Sequence, residues 1–338
     1  MPRLVNLTVA LVAFIATCVI IHAMLPLPLP QLGYVNQKLR FLAARRDDYD
    51  TIFIGSSRTF RGISPAIFDR TSAAAGRPHH SFNLGIDGMW PPEQFYILDA
   101  LLKFQPHTWR WVFIELDDVQ IDLPPELKNT ERAVYWHDWP RTAQIFRKLL
   151  RADQQHSIAG ISRRLWQGRN ALVLHVRLFL QRMANVGRAS TIFGNWFAEA
   201  AIDRRDYLGP DGDGHIPVDL QLSGERAEVY ERWLRRESSE RQSHRLDPIA
   251  DKAYRTYAWR FARFGAKTAF FVTPASPSLL PSAFAQEPAP ALFIFNDPAK
   301  YPALYKLDAR WDENHLNAIG AARFSQLFAE TLLTAPQR

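Results

Sequence analysis

The sequence predicts an α/β fold with a mainly parallel sheet, on three observations. Short apolar runs that read as buried strands alternate with stretches of helical spacing, and proline and small polar residues mark the junctions. A hydrophobic content of 47% in 338 residues supplies a sizeable core. Thr51–Ile54 is the first strand, and Ser64-Pro65 is an N-cap and first-turn pair for the helix that follows. Ser81–Leu84 is a second short strand. Pro91-Pro92-Glu93 opens a helix through Phe104, with Phe95, Leu98, Leu101 and Leu102 at helical spacing. Trp111–Leu116 is a third strand and Ala250–Phe264 a helix. Thr268–Val272 is a strand ended by Thr273-Pro274, Ala291–Phe295 is another, and Asn317–Leu333 is a final helix. Strands alternating with helices imply a sheet covered on both faces.

Two regions fall outside this rhythm. Leu4–Met24 holds no fixed charge over 21 residues, close to the ~20 that cross a hydrocarbon core as helix. A cleaved signal peptide is the alternative, but His22-Ala23-Met24-Leu25 is a poor small-residue cleavage site. A retained single-pass anchor through residues 4–24 is therefore expected. Leu25-Pro26-Leu27-Pro28-Leu29-Pro30 would end the helix and continue as a stiff extended spacer. Residues 1–30 are thus anchor and spacer, and 31–338 the folded domain. Within it, 121–249 reads as a helical insertion, rich in Trp and Arg and carrying the turn Gly209-Pro210-Asp211-Gly212-Asp213-Gly214. Asn170–Met183 is either a buried amphipathic helix or one that rests on a membrane.

Composition excludes several functions. The net charge of +7 comes from 41 basic and 34 acidic residues, scattered in short groups rather than one tract. That gives no nucleic-acid signature, and a bilayer surface or an anionic polymer is at least as compatible. Cys18 is the single cysteine and lies in the apolar N-terminus, so the folded part holds no disulfide or thiolate metal site. There is no His-Glu-x-x-His and no phosphate loop, and Asp211-Gly212-Asp213-Gly214 lacks the terminal glutamate of a calcium loop. No metal or cofactor is expected. Asp47-Asp48-Tyr49-Asp50 reads as a solvated entry to the first strand.

The residues that carry chemistry lie at strand ends. Gly55-Ser56-Ser57-Arg58 places Ser57 where a parallel strand gives way to a turn, and ligands of open α/β sheets collect outside the carboxyl ends of strands. Ser57 needs a base, because its hydroxyl is barely ionised at neutral pH. His315 lies three residues after Asp312, a spacing that lets the carboxylate hold one ring nitrogen while the other faces a nucleophile. The same two residues are also ordinary caps for the final helix. Asn83-Leu84-Gly85-Ile86-Asp87-Gly88 follows the second strand and is either a plain glycine turn or a loop whose amides face an oxyanion.

In order and spacing, Ser57, the Asn83–Gly88 block and Asp312-x-x-His315 resemble the SGNH, or GDSL-like, hydrolase superfamily. The resemblance implies a flavodoxin-like three-layer α/β/α fold. It also implies Ser57 as nucleophile, His315 as base, Asp312 as its orienter, and the Ser57 and Gly88 amides as oxyanion donors, with Gly85 and Asn83 in the same block. The N-terminal anchor, Gly-Ser-Ser in place of Gly-Asp-Ser, and Asp-x-x-His-Leu-Asn look like the membrane-anchored branch, which includes alginate O-acetylation proteins and the teichoic acid D-alanyl transfer protein. What this implies is a serine acyltransferase or esterase acting on O-acyl, chiefly O-acetyl, groups of an exported polysaccharide. Its body would lie in the periplasm at the cytoplasmic membrane, beside a membrane-bound O-acyltransferase. The basic residues Lys38, Arg40, Arg45 and Arg46 after the span, taken alone, favour the opposite orientation. The family's third block ordinarily supplies an oxyanion-hole asparagine, and here Glu115-Leu116-Asp117-Asp118 puts Asp117 in that place. An ionised aspartate repels an oxyanion, which leaves a non-catalytic scaffold of the same shape as the rival reading.

Overall fold

A computed structural model of the chain describes residues 2–24, 34–151, 168–184, 203–239, 244–275, 281 and 283–335. In chain order the elements are α1 (Pro2–Met24), α2 (Tyr34–Ala44), β1 (Thr51–Gly55), α3 (Ser57–Gly62), α4 (Pro65–Ala74), β2 (Ser81–Gly85), α5 (Glu93–Leu102) and β3 (Trp111–Glu115). There follow α6 (Glu131–Trp136), α7 (Trp139–Arg151), α8 (Arg169–Met183), α9 (Arg205–Leu208), α10 (Gly224–Ser239), α11 (Pro248–Ala262), β4 (Lys267–Val272), β5 (Leu292–Ile294) and α12 (Ala318–Thr334). The chain divides into two units, residues 1–36 with 120–201, and residues 37–119 with 202–338.

The second unit holds the sheet. Its five strands are all parallel, in the order β2-β1-β3-β4-β5, the doubly wound order of flavodoxin-like folds. Strands buried on both faces need near-continuous apolar sequence, and β1 is buried at all five positions. Alternate residues feed two cores. On one face Phe53 stacks on Phe113 at 5.0 Å, and Phe68 of α4 and Phe328 of α12 close over both. On the other, Phe82 meets Phe41 and Tyr49, and Phe270 meets Tyr254 of α11 and Phe284. Phe95 of α5 packs against Tyr254 and Tyr257.

The boundary of the insertion differs from the expectation at 249. Residues 203–239 belong with the sheet unit, and Asp213 among them bonds to the edge of β2. The Asn83 amide on the open edge of β2 donates to the Asp213 carbonyl at 2.8 Å, which occupies an edge that would otherwise invite pairing with another chain. Gly214, at φ +90°, permits that approach, since a Cβ there would lie 2.1 Å from the Asn83 carbonyl oxygen. Lys38 is buried beneath the same junction and donates to the carbonyls of Gly85 at 2.9 Å and Gly214 at 2.8 Å. Burial holds its ammonium well below the usual lysine range, against the pull of Asp87.

The first unit is helical among its described residues. It contains α1, α6, α7 and α8, with α6 and α7 both packed on α8. Its interior holds two histidines: His137 Nε2 lies 2.7 Å from His175 Nδ1, and His175 Nε2 lies 2.8 Å from the Ile121 carbonyl. The backbone helix α1 covers 23 residues. Its described side chains, residues 5–20, make a stretch of 16, and among the described residues no helix is long and apolar enough to cross a membrane. The proline spacer at 25–30 lies outside the described residues.

Candidate active site

Ser57 stands at the first position of α3, directly beyond the carboxyl end of β1. The turn that carries it is tight because Ser56 caps α3, its hydroxyl accepting the Arg58 amide at 3.2 Å. Gly55 and Gly85 let α3 settle against the sheet. A Cβ on Gly85 would fall 2.2 Å from the Phe60 amide nitrogen, and one on Gly55 would fall 2.1 Å from Thr59 Oγ1. The Ile86 amide donates to the Gly55 carbonyl at 2.9 Å, so the Gly85–Gly88 turn emerges beside the serine turn. Arg61 of α3 then pairs with Asp87 of that turn at 3.1 Å.

His315 arrives from the far end of the chain. Its Nε2 lies 2.7 Å from Ser57 Oγ, and its Nδ1 lies 2.9 and 2.8 Å from the two carboxylate oxygens of Asp312. Asp312 Oδ1 also accepts the amides of Asn314 at 2.7 Å and His315 at 2.8 Å, so one carboxylate shapes the turn and holds the ring. Burial works against the Asp312 charge, but the His315 hydrogen bond, its charge and those two amides prevail and hold the carboxyl below its ordinary value. The His315 and Asp312 side chains are 20% and 15% exposed, enough to meet a ligand from one side.

The loop before α12 is clamped. Arg310 is fully buried, donating to the carbonyls of Leu304 at 3.0 Å, Glu313 at 3.3 Å and Pro274, with its guanidinium over the Tyr305 ring. Asn317 caps α12 through the Gly320 amide at 3.0 Å, and its own amide donates to the Asp308 carbonyl at 2.9 Å. Gly320 has no room for a side chain, since a Cβ would lie 2.1 Å from the Ala309 carbonyl oxygen. The Trp311 ring lies 5.3 Å from that of His315.

Three residues of the expected oxyanion group have other duties. Asn83 is completely buried and points away from the serine: its amide donates to the carbonyls of Thr59 at 2.8 Å and Ile63 at 2.6 Å, satisfying the end of α3. Asn83 Oδ1 accepts the Gly85 amide at 2.7 Å, so that amide is spent within the turn. Both assignments are therefore corrected to structural roles. Asp117 is corrected too. It accepts from Arg58 Nη2 at 2.6 Å and from the Asp118 amide at 2.8 Å, and presents no donor. Gly88 has φ +62°, which only glycine adopts freely. Among the described residues, neither the Gly88 amide nor the Ser57 amide donates to a protein acceptor.

Sequence reasoning missed the group behind the nucleophile. Glu115, at the buried end of β3, accepts from the Ser56 amide at 2.6 Å, the Ser56 hydroxyl at 3.1 Å, Arg58 Nε at 2.7 Å and Thr59 Oγ1 at 2.7 Å. One carboxylate thus ties down Ser56, Arg58 and Thr59 on either side of Ser57. Burial opposes its charge, but Arg58 and these donors outweigh that and hold Glu115 below the usual range. For Asp117 burial dominates and pushes the carboxyl up, with Glu115 adding to the rise against the pull of Arg58. Arg58 stays charged between them, the two carboxylates more than offsetting its burial. From beneath, the Tyr254 hydroxyl accepts the Asp117 amide at 3.1 Å and donates to Gln94 Oε1 at 2.7 Å. The available signal was an acidic residue closing an apolar strand, with arginine directly after the serine.

No metal-ligating cluster occurs among the described residues. No family model, no curated protein and no solved structure matches the chain.

Proposed function

We propose that the chain is an SGNH-like serine acyl-transfer enzyme acting on O-acyl, chiefly O-acetyl, groups of an exported polysaccharide. The carrying observation is the in-line array Ser57 Oγ, His315 Nε2, His315 Nδ1 and Asp312, with both contacts inside hydrogen-bond reach. In this reading Ser57 Oγ attacks the acyl carbonyl carbon as its proton passes to His315 Nε2. Asp312 stabilises the imidazolium that forms. The negative oxygen of the tetrahedral intermediate receives the unpartnered amides of Ser57 and Gly88. Collapse expels the donor's oxygen, which takes the proton from His315, and leaves an ester on Ser57. A sugar hydroxyl then repeats the sequence and carries the acyl group away. Water in its place makes the same site an esterase.

The anchor and setting belong to this proposal: α1 as a single-pass span, the sheet unit on the periplasmic side, and a membrane-bound O-acyltransferase as acyl source. The outward-facing apolar side chains of α1, from Val5 at 59% to Ile20 at 56% exposed, support it.

A fluorophosphonate probe tests the chemistry. Labelling of the wild-type protein, lost in Ser57→Ala and in His315→Ala, is the expected result. Absence of labelling in folded wild-type protein favours the second reading, a non-catalytic scaffold. The observation on that side is specific: Glu115 and Asp117 place two carboxylates, and no donor, where the third block would contribute to the oxyanion site.

A further inference from the structure

Two helices of the helical unit expose apolar side chains while burying polar ones beside Ile145 and Leu178. On α8 the buried positions are His175, Leu178 and Arg182, while Val173, Val176 and Leu180 stand outward at 67%, 38% and 56% exposure. These aliphatics fall on one stripe of the helix, with Arg169 and Arg177 exposed along it. Helices of water-soluble proteins turn the apolar stripe inward. On α7, Trp139 is 63% exposed beside Phe179 of α8, at 6.0 Å between rings, while Arg141 and Thr142 of the same helix are buried. Exposed tryptophan is a residue that membrane–water boundaries favour.

Two further observations name the occupant. α1, whose apolar side chains face outward, packs on α8 within the same unit. Charge is also divided unevenly. Residues 1–36 and 120–201 hold 13 Lys and Arg against 6 Asp and Glu, whereas 37–119 and 202–338 hold 28 of each. The whole net charge of +7 therefore lies in the helical unit. Among the described residues, Arg177, in the middle of the apolar stripe, bonds to uncharged partners, the Lys128 carbonyl at 3.3 Å and Asn129 Oδ1 at 3.0 Å.

We infer that α8 is an interfacial helix, seated by Val173, Val176 and Leu180 in the surface of an anionic phospholipid bilayer alongside α1. Apolar area and basic charge act together in such binding. The inference rests on α1 being the anchor, and the single native cysteine allows the two to be tested apart.

Full-length protein is reconstituted into phosphatidylcholine vesicles containing phosphatidylglycerol and labelled with an environment-sensitive NBD dye. The label is placed at native Cys18, or, in a Cys18→Ser background, at Val173→Cys or Leu180→Cys. Leu220→Cys, on the sheet unit and 65% exposed, is the control. The expected result is blue-shifted emission at 173 and 180, lost for the most part when doxyl-labelled lipid is added, with no change at 220. Replacing Arg177 by Glu, or omitting phosphatidylglycerol, weakens the quenching at 173 and 180 and leaves Cys18 unaffected. If Cys18 is quenched while 173 and 180 remain as wet as 220, the anchor stands and the interfacial helix is wrong. If Cys18 also remains unquenched, the anchor reading itself has failed. A label at 173 shielded from iodide but not reached by doxyl lipid, or a disulfide between two copies at 173, overturns the lipid assignment in favour of a protein cover.

Discussion

The two units differ in what α8 exposes and in how charge is distributed. In the sheet unit aromatic and aliphatic side chains of the strands fill the core, charge balances at 28 against 28, and the buried Arg58 is paired with Glu115 and Asp117. On α8 of the helical unit Val173, Val176 and Leu180 point outward, His175 and Arg182 are buried beside Leu178, and the charge of the unit is unbalanced. The first pattern is what water selects. The second leaves aliphatic side chains exposed, each forgoing about 1.5–3 kcal/mol that burial would supply. The contrast separates the unit that holds the Ser57–His315–Asp312 array from the unit that holds the exposed aliphatic stripe, so that the two proposals can be tested on different residues.

The largest expected effect falls on the chemistry alone. Ser57→Ala removes the proposed nucleophile and lowers acyl transfer by roughly 10³-fold or more, the scale on which such arrays depend on a single member. His315→Ala is expected to match it. Ser57 is a partly exposed residue at the start of a short helix, so thermal unfolding should be unchanged, and the NBD signals of the helical unit should be unchanged as well. A shift in those signals would show that the two units are coupled. Turnover of an acetylated sugar ester and a melting curve measure both sides.

Next in size is Glu115→Gln, which strikes the buried ion-pair group of the sheet unit. It leaves the Arg58 guanidinium with one carboxylate and weakens the ties to Ser56 and Thr59. Breaking a buried pair by removing one partner costs about 3–5 kcal/mol. The loss should show in denaturant midpoint and, because the serine turn is freed, in a lower rate of fluorophosphonate labelling. A variant that melts normally and labels normally would mean that Glu115 does not position the turn.

Gly85→Ala should follow, at roughly 1–3 kcal/mol, the ordinary scale of overpacking. Its Cβ meets the Phe60 backbone at 2.2 Å and 2.4 Å, atoms that move only if α3 moves. Reduced stability together with slower labelling is expected, since α3 carries Ser57. Unchanged values in both would argue that α3 sits higher above the sheet.

How much of this was legible in the sequence differs by kind of residue. The strands were legible because a buried parallel strand has to be an apolar run, and Thr51–Ile54 and Trp111–Glu115 are that. The meeting of Ser57, Asp312 and His315 was legible because serine, histidine and aspartate are the types such an array would need and two of them lie three apart. Glu115 was not, since its meaning comes from partners 56 to 59 residues away. Asn83 and Gly85 were read as donors of a loop because their block resembles one, whereas Asn83 turns back to close α3 and Gly85 makes room for it. The end of the insertion was missed for a similar reason: nothing local to residues 209–215 reveals that they will complete the edge of β2.

That edge supplies the smallest effect and a pH-dependent contrast between the units. Asp69 of α4 accepts the Ser81 amide at 2.8 Å and the Ser81 hydroxyl, pinning the start of β2. Burial pushes its carboxyl up to about 6, against the lowering by those hydrogen bonds. A carboxyl raised on folding is charged first in the unfolded chain, so its contribution to stability is full below the ordinary value of 3.8 and is lost as pH rises through about 6. Asparagine does not titrate, and it keeps both contacts by accepting from the Ser81 amide and donating to its hydroxyl. Asp69→Asn should therefore match the wild type near pH 4 and exceed it above pH 6, by at most about 3 kcal/mol for a shift of this size. The gain should appear in denaturant unfolding of the sheet unit and leave lipid quenching at Val173 untouched. Equal stability of the two proteins at pH 4 and pH 8 would show that the Asp69 carboxyl is as well solvated folded as unfolded.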